Sequence, residues 1–132
     1  MSVELTMLAW TLVLALVYVF AAAGASTRQY GLKWNAGPRD QTLAPPDKMT
    51  GRLRRAQANL YETLPLFIGA VLALHALGRE GAVSAIGAQL YFWGRVVYLP
   101  LYGMGVPMVR SLVWGVSFLG LVLILLSLLG VV

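Results

Sequence analysis

The sequence predicts an all-α integral membrane protein, built as an antiparallel bundle of four transmembrane helices. Hydrophobic residues make up 59% of the 132 residues, charged residues make up only 11%, and the mean hydropathy is +0.76. Soluble domains typically contain about 45–50% apolar and 25% charged residues, so this composition excludes disorder and argues against a soluble globule. At roughly 100–200 residues per domain, residues 1–132 are predicted to form a single domain.

The two ends of the chain provide the clearest spans. Residues 5–27 and 111–132 carry no formal charge, and each run reaches the roughly 20 apolar residues that cross a bilayer. A cleavable signal peptide is the competing interpretation of the first run, because small residues follow from Ala21 to Ser26. The chain start, Met1 to Glu4, lacks the positive charge of such peptides, and the run is therefore predicted to remain as the first helix.

Two further spans each contain one charged residue. Residues 56–78 are interrupted by Glu62, and residues 82–102 are interrupted by Arg95. The polar connector at 26–51 contains three prolines and is predicted to be a long loop outside the bilayer. Pro107 is well placed to begin the last helix. The predicted helices cover approximately residues 4–27, 51–78, 82–103 and 107–131.

Most lysines and arginines lie near the first connector: Arg28, Lys33, Arg39, Lys48, Arg52, Arg54 and Arg55. Arg110 falls on the same side of the predicted bundle, whereas Arg79 is alone on the other side, next to Glu80. The positive-inside rule then predicts a cytoplasmic loop, with both termini on the periplasmic side of a bacterial inner membrane or, in a eukaryote, on the lumenal side. This topology accounts for the net charge of +5, so no nucleic-acid partner is expected.

Polar side chains inside the two middle spans recur at intervals of three and four residues, which places each set on one helical face. The second helix carries Arg52, Arg55, Asn59 and Glu62, with Gln57 beside them. The third helix carries Tyr91, Arg95, Tyr98 and Tyr102. A charge at mid-bilayer costs about 2.5–3.5 kcal/mol on insertion scales, so both faces are candidate functional sites. Because the second and third helices are antiparallel, their polar faces lie in the same half of the bundle, together with Arg28 and Arg110.

One interpretation of these faces is a buried Glu62–Arg95 ion pair that fixes helix register, with the tyrosines forming an interfacial belt. A single glutamate, however, cannot neutralise Arg55, Arg95 and Arg110 together, and the excess positive charge requires an anion. Guanidinium groups bind carboxylates in a bidentate geometry, Asn59 adds hydrogen bonds, and Glu62 can hold an ammonium group. The set therefore predicts a zwitterionic, net anionic, peptide-like ligand.

Other classes of site find little support in the sequence. His75 is the single histidine and has no partner ligands for a metal, so a hydrogen-bonding role is expected. The sequence contains no cysteine and no phosphate-binding loop, which excludes protein-borne thiol chemistry and nucleotide hydrolysis. A small proton-coupled exporter would also use a membrane-embedded carboxylate, but the arginines around Glu62 would repel its cationic substrates.

Two motifs together resemble the MAPEG family, the membrane-associated proteins in eicosanoid and glutathione metabolism. The first is Arg-Ala-Gln-Ala-Asn-Leu-Tyr-Glu-Thr-Leu-Pro at 55–65. The second is Arg-Val-Val-Tyr-Leu-Pro-Leu-Tyr at 95–102, followed by Arg110. The resemblance covers nearly the whole chain and is greatest with the small bacterial branch. It implies a homotrimer of four-helix subunits, with glutathione bound between neighbouring subunits near the cytoplasmic face.

The resemblance also implies roles for individual residues. Arg110 would be the catalytic residue that stabilises the glutathione thiolate. The glutathione contacts would be Arg28, Arg55, Gln57, Asn59, Glu62, Arg95, Tyr98 and Tyr102. The chain departs from the family pattern at Thr63, where the leukotriene-synthase branch has a tyrosine, and in the spacing of eight residues between Tyr102 and Arg110.

The function that follows is a glutathione-dependent membrane transferase or peroxidase, with glutathione as co-substrate and no metal. Its second substrate would be a lipophilic electrophile that arrives through the membrane lipid, whereas glutathione would come from water. The alternative is a non-catalytic, lipid-binding scaffold or regulator of the same family.

Overall fold

The computed structural model describes all 132 residues, which form five helices and no strand. The helices are α1 (Val3–Tyr30), α2 (Leu32–Ala36), α3 (Lys48–Ala76), α4 (Ala82–Gly103) and α5 (Pro107–Leu128). Three of them, α1, α3 and α5, are long and apolar enough to cross a membrane. The chain is therefore an all-helical integral membrane protein. Helix α4 is as long as α5, but Gln89, Arg95 and its tyrosines make it less apolar.

Capping residues explain why two helices begin where they do. Ser2 precedes α1 and its hydroxyl accepts a hydrogen bond from the Leu5 amide at 3.2 Å. Asp47 precedes α3, which starts before the predicted residue 51, and its carboxylate accepts from the Thr50 amide at 2.8 Å. This hydrogen bond holds the pKa of Asp47 below its ordinary value. The short helix α2 was not predicted, because it lies in the connector interpreted as a loop.

The four long helices pack around one core. Helix α1 packs on α3 and α4, and α5 packs on α3 and α4. In the centre, the Phe67 ring of α3 stacks on the Tyr91 ring of α4 with centroids 4.1 Å apart. Helices α4 and α5 approach most closely where Gly87 and Gly94 of α4 face Gly120 and Ser117 of α5. Small residues are needed at this contact because the two backbones nearly touch.

A polar network joins the helix ends opposite the long connector. The Ser2 hydroxyl donates to the Glu80 carboxylate, which also bonds to His75 Nδ1 at 2.8 Å. Nearby, the Ser84 hydroxyl donates to the buried carboxylate of Glu4. His75–Glu80 is the single salt bridge within the chain. These hydrogen bonds link the start of α1 to the turn between α3 and α4.

Replacing Glu80 with glutamine is expected to lower the thermal stability at about pH 7 and to change it little at about pH 3. Hydrogen bonds from Ser2 and His75 hold the pKa of Glu80 below its ordinary value of 4.5. A lowered folded-state pKa contributes stability above the unfolded pKa, and this contribution is lost as the pH falls through the folded pKa. Thermal melts of detergent-solubilised protein measure both conditions.

The exposed Asp40→Asn variant is the control, because the Asp40 side chain forms no hydrogen bond and no salt bridge. A destabilisation by Glu80→Gln of equal size at both pH values would contradict the expected role of the Glu80 charge.

Candidate functional site

Arg95 lies at the centre of the site and is only 1% exposed. Its guanidinium donates to Asn59 Oδ1 at 2.7 Å and to Thr63 Oγ1 at 3.1 Å. The same group stacks on two rings, with its Cζ 5.0 Å from the Tyr98 centroid and 5.8 Å from that of Tyr91. All of these partners are neutral. The structure therefore holds a buried positive charge with no carboxylate beside it, an arrangement that favours a nearby anion.

Tyr102 brings two further arginines to the same end of the bundle. Arg55 of α3 donates from Nε to the Tyr102 hydroxyl at 3.1 Å. Arg110, in the first turn of α5, lies over the Tyr102 ring, with its Cζ 4.6 Å from the ring centroid. The Tyr98 and Tyr102 rings are 5.5 Å apart, so one aromatic surface joins the buried Arg95 to the exposed Arg55 and the half-buried Arg110.

An open pocket of about 240 Å³ lies between these groups. Its lining combines residues of α3, α4 and α5: Asn59, Tyr98, Tyr102, Arg110, Ser111 and Trp114. Ser111 was not predicted, and Trp114 was not among the predicted glutathione contacts. Trp114 follows Arg110 by four residues and so shares its helical face, a signal that was present in the sequence.

The interpretation of Glu62 and Arg95 as an ion pair is wrong within the chain. No salt bridge involves either residue; the two terminal nitrogens of Arg95 donate to Asn59 and Thr63, and its Nε is buried without a hydrogen-bond partner. Glu62 is exposed on α3 and makes no hydrogen bond. The two residues match in depth along their helices, but Glu62 lies on the outer part of the α3 face whereas Arg95 points inward. The Glu62 carboxylate is thus free to meet another molecule.

Thr63 has a structural role that the sequence did not reveal. Its hydroxyl is buried, accepts a hydrogen bond from Arg95 and lies 2.9 Å from the Tyr91 hydroxyl. The side chain points into the bundle rather than into the pocket, and it helps to position the buried guanidinium. Tyr18 of α1 supports the same region by donating to the Arg95 carbonyl at 2.7 Å.

Two predicted ligand contacts do not join this cluster within one chain. Gln57 faces a separate pocket between α1, α2 and α3, and its amide donates to the Tyr61 hydroxyl at 3.4 Å. Arg28 is exposed at the end of α1 and lines a third depression, with Met49 and Leu53. The structure brings together the other predicted residues, Arg55, Asn59, Arg95, Tyr98, Tyr102 and Arg110, with Glu62 exposed beside them.

The fold and this site define an integral membrane protein with an arginine-rich pocket at one end of its helices. The chain belongs to the MAPEG family, whose family model matches residues 7–130. This membership assigns it to the membrane proteins of glutathione-related or eicosanoid metabolism. Comparisons with curated proteins and with solved structures yield no match.

Proposed function

We propose that the protein is a glutathione-dependent membrane transferase or peroxidase that acts on lipophilic electrophiles. Glutathione binds in the pocket between Tyr102 and Trp114 and reacts as its thiolate. The protein works as a homotrimer of subunits with four transmembrane helices. It lies in a bacterial inner membrane, with the basic connector in the cytoplasm and both termini on the periplasmic side, as the distribution of lysine and arginine favours.

The charge balance of the pocket is the observation that carries this proposal. Arg55, Arg95 and Arg110 face only one carboxylate, that of Glu62, and no salt bridge neutralises any of them. Glutathione offers two carboxylates and one ammonium group, which complement the arginines and Glu62 respectively. Asn59 retains its amide nitrogen for a peptide carbonyl, since its oxygen already accepts from Arg95.

Arg110 is suited to stabilise a thiolate. A thiol with a pKa near 8.5 is only a few per cent ionised at about pH 7, so a positive charge beside the sulfur increases the reactive form. Arg110 lies in the first turn of α5, where the positive end of the helix dipole adds to its charge. The reaction then needs no protein base to form a carbon–sulfur bond or to reduce a peroxide.

The second substrate has an apolar route to this pocket. Trp114 lines the pocket and stacks on Phe118, one turn further along α5, with ring centroids 5.1 Å apart. Phe118 is exposed on the side of the helix that would face lipid. This aromatic pair supports entry of a lipophilic electrophile from the bilayer, whereas the polar pocket mouth receives glutathione from water.

The position of Gln57 supports a site shared between subunits. Gln57 and Glu62 lie on the same helix but on different faces, and in one chain only Glu62 is next to the pocket. If both contact glutathione, a neighbouring subunit must supply Gln57. The exposed Glu62 carboxylate and the apolar surface around Pro65 and Ile68 are consistent with burial against that neighbour.

Arg110→Ala is expected to abolish the thiolate absorption band that glutathione produces with the purified wild-type protein at about pH 7. Loss of one charged contact to the sulfur should lower turnover by about ten- to a hundredfold. Glutathione affinity should remain, because Arg55 and Arg95 still bind the carboxylates. An ultraviolet difference spectrum on adding glutathione measures the thiolate, and equilibrium dialysis measures the affinity.

The exposed Lys33→Ala variant is the matched control for the loss of one positive charge. Glu62→Gln should show the reverse pattern: glutathione should bind more weakly, whereas the glutathione that does bind should still form the thiolate. Unchanged turnover in Arg110→Ala would remove the catalytic assignment. A wild-type protein without a thiolate band would favour the non-catalytic scaffold.

A further inference from the structure

A second pocket, of about 200 Å³, opens at the connector end of the bundle between α1, α2 and α3. One wall is apolar and consists of Val19, Ala22 and Ala23 of α1. The opposite wall is polar and includes Trp34, Arg39, Arg54 and Gln57. This pocket shares no lining residue with the proposed glutathione pocket. The two are therefore separate features of the subunit.

The two arginines of this pocket have no anionic partner. Arg54 donates from Nε to the Ser26 hydroxyl at 3.0 Å, which leaves its terminal nitrogens unused. Arg39 donates to the carbonyl of Asn35 at 3.1 Å and to the side-chain oxygen of the same residue. Neither guanidinium forms a salt bridge, although Asp40 follows Arg39 in the chain. The pocket is thus a site of uncompensated positive charge.

Trp34 adds a hydrogen-bond donor to the same wall. Its indole Nε1–H is buried and has no hydrogen-bond partner, which is costly for a polar group inside a protein. The Arg39 guanidinium lies over the Trp34 ring at 4.7 Å. Arg39 is also the one non-glycine residue with a positive φ, 61°, a conformation that side chains rarely adopt. Arg39 thus adopts a strained backbone conformation at the position that places its guanidinium over the Trp34 indole.

We infer that this pocket binds the phosphodiester of an anionic phospholipid headgroup, a ligand other than the glutathione proposed above. Phosphate oxygens would accept from Arg39, Arg54 and the Trp34 indole, which satisfies the donors left free. An acyl chain would lie along Val19 and the exposed apolar face of α1, which continues into the membrane. Tryptophan and arginine at a helix end commonly mark the headgroup level of a bilayer.

Native mass spectrometry of the detergent-solubilised protein with phosphatidylglycerol or phosphatidylcholine tests this inference. The wild type should retain phosphatidylglycerol in preference to phosphatidylcholine. The double variant Arg39→Gln, Arg54→Gln should weaken phosphatidylglycerol binding by about 30-fold, or about fivefold per charge. Trp34→Phe keeps the ring and removes only the donor, and it should weaken binding severalfold.

Lys33→Gln is the matched control, because it removes one charge from the same short helix without touching the pocket. The glutathione thiolate band should persist in the double variant, which separates this inference from the proposed function. Three results would overturn it. The first is an equal loss of lipid in Lys33→Gln, and the second is binding of free glycerol phosphate as tight as that of the lipid. The third is loss of glutathione affinity with unchanged lipid binding, which would make this pocket, bordered by Gln57, part of a neighbour's glutathione site.

Discussion

Gly120→Leu is expected to prevent α4 and α5 from packing and to leave little folded protein. A Cβ atom at position 120 would lie 2.4 Å from the Gly87 carbonyl oxygen and 2.7 Å from the Tyr91 amide nitrogen. Both are backbone atoms, so a side chain can be accommodated only if the helices move apart. Even Gly120→Ala should cost about 1–3 kcal/mol or more, because overpacking displaces whole helices here.

Gly115→Ala provides the control on the same helix. Apart from its chain neighbours and the backbone of its own helix, no atom lies within 4 Å of a Cβ built at Gly115, and alanine is a better helix former than glycine. Its thermal midpoint in detergent should equal or exceed that of the wild type, whereas Gly120→Ala should melt well below it. A Gly120→Ala protein with a wild-type midpoint would contradict the close α4–α5 contact.

Arg95→Ala is expected to lower glutathione affinity by more than about a hundredfold and to destabilise the site half of the bundle. Leaving buried hydrogen-bonding groups without their partner typically costs about 1–3 kcal/mol each. Here the change removes the donors to Asn59 and Thr63 and leaves a cavity between the Tyr91 and Tyr98 rings. Glutathione titration and thermal melts in detergent measure the two effects separately.

Arg95→Lys separates charge from geometry, because lysine keeps the charge but lacks the planar fork that reaches two acceptors. It should bind glutathione more weakly than the wild type and more tightly than Arg95→Ala. Thr63→Val removes one acceptor while keeping the shape, and its affinity should lie nearer the wild type. Wild-type affinity in Arg95→Ala would exclude Arg95 from the ligand site.

The spacing of polar residues predicted much of the candidate site, because residues three or four apart share one face of a helix. Intervals of three and four residues identified Arg55 and Asn59 on α3 and Arg95 on α4, and these residues lie together at one end of the bundle. The same periodicity placed Glu62 on this face, but it could not show that Glu62 lies too far round the helix to meet Arg95. The short helix α2 escaped prediction because five residues in a proline-containing connector carry no periodic signal.

Composition and spacing alone predict a helical membrane chain with arginines concentrated near one end of its spans, whereas its membership of the MAPEG family rests on the family model that matches residues 7–130. Long apolar runs and helical repeats are local properties, so they can be read from neighbouring residues. The partners of Arg95, the inward role of Thr63 and the separation of Gln57 from the pocket depend instead on how each helix is rotated against the next. That rotation is determined by contacts between distant residues, such as Gly87 with Gly120 and Phe67 with Tyr91, which no local pattern contains.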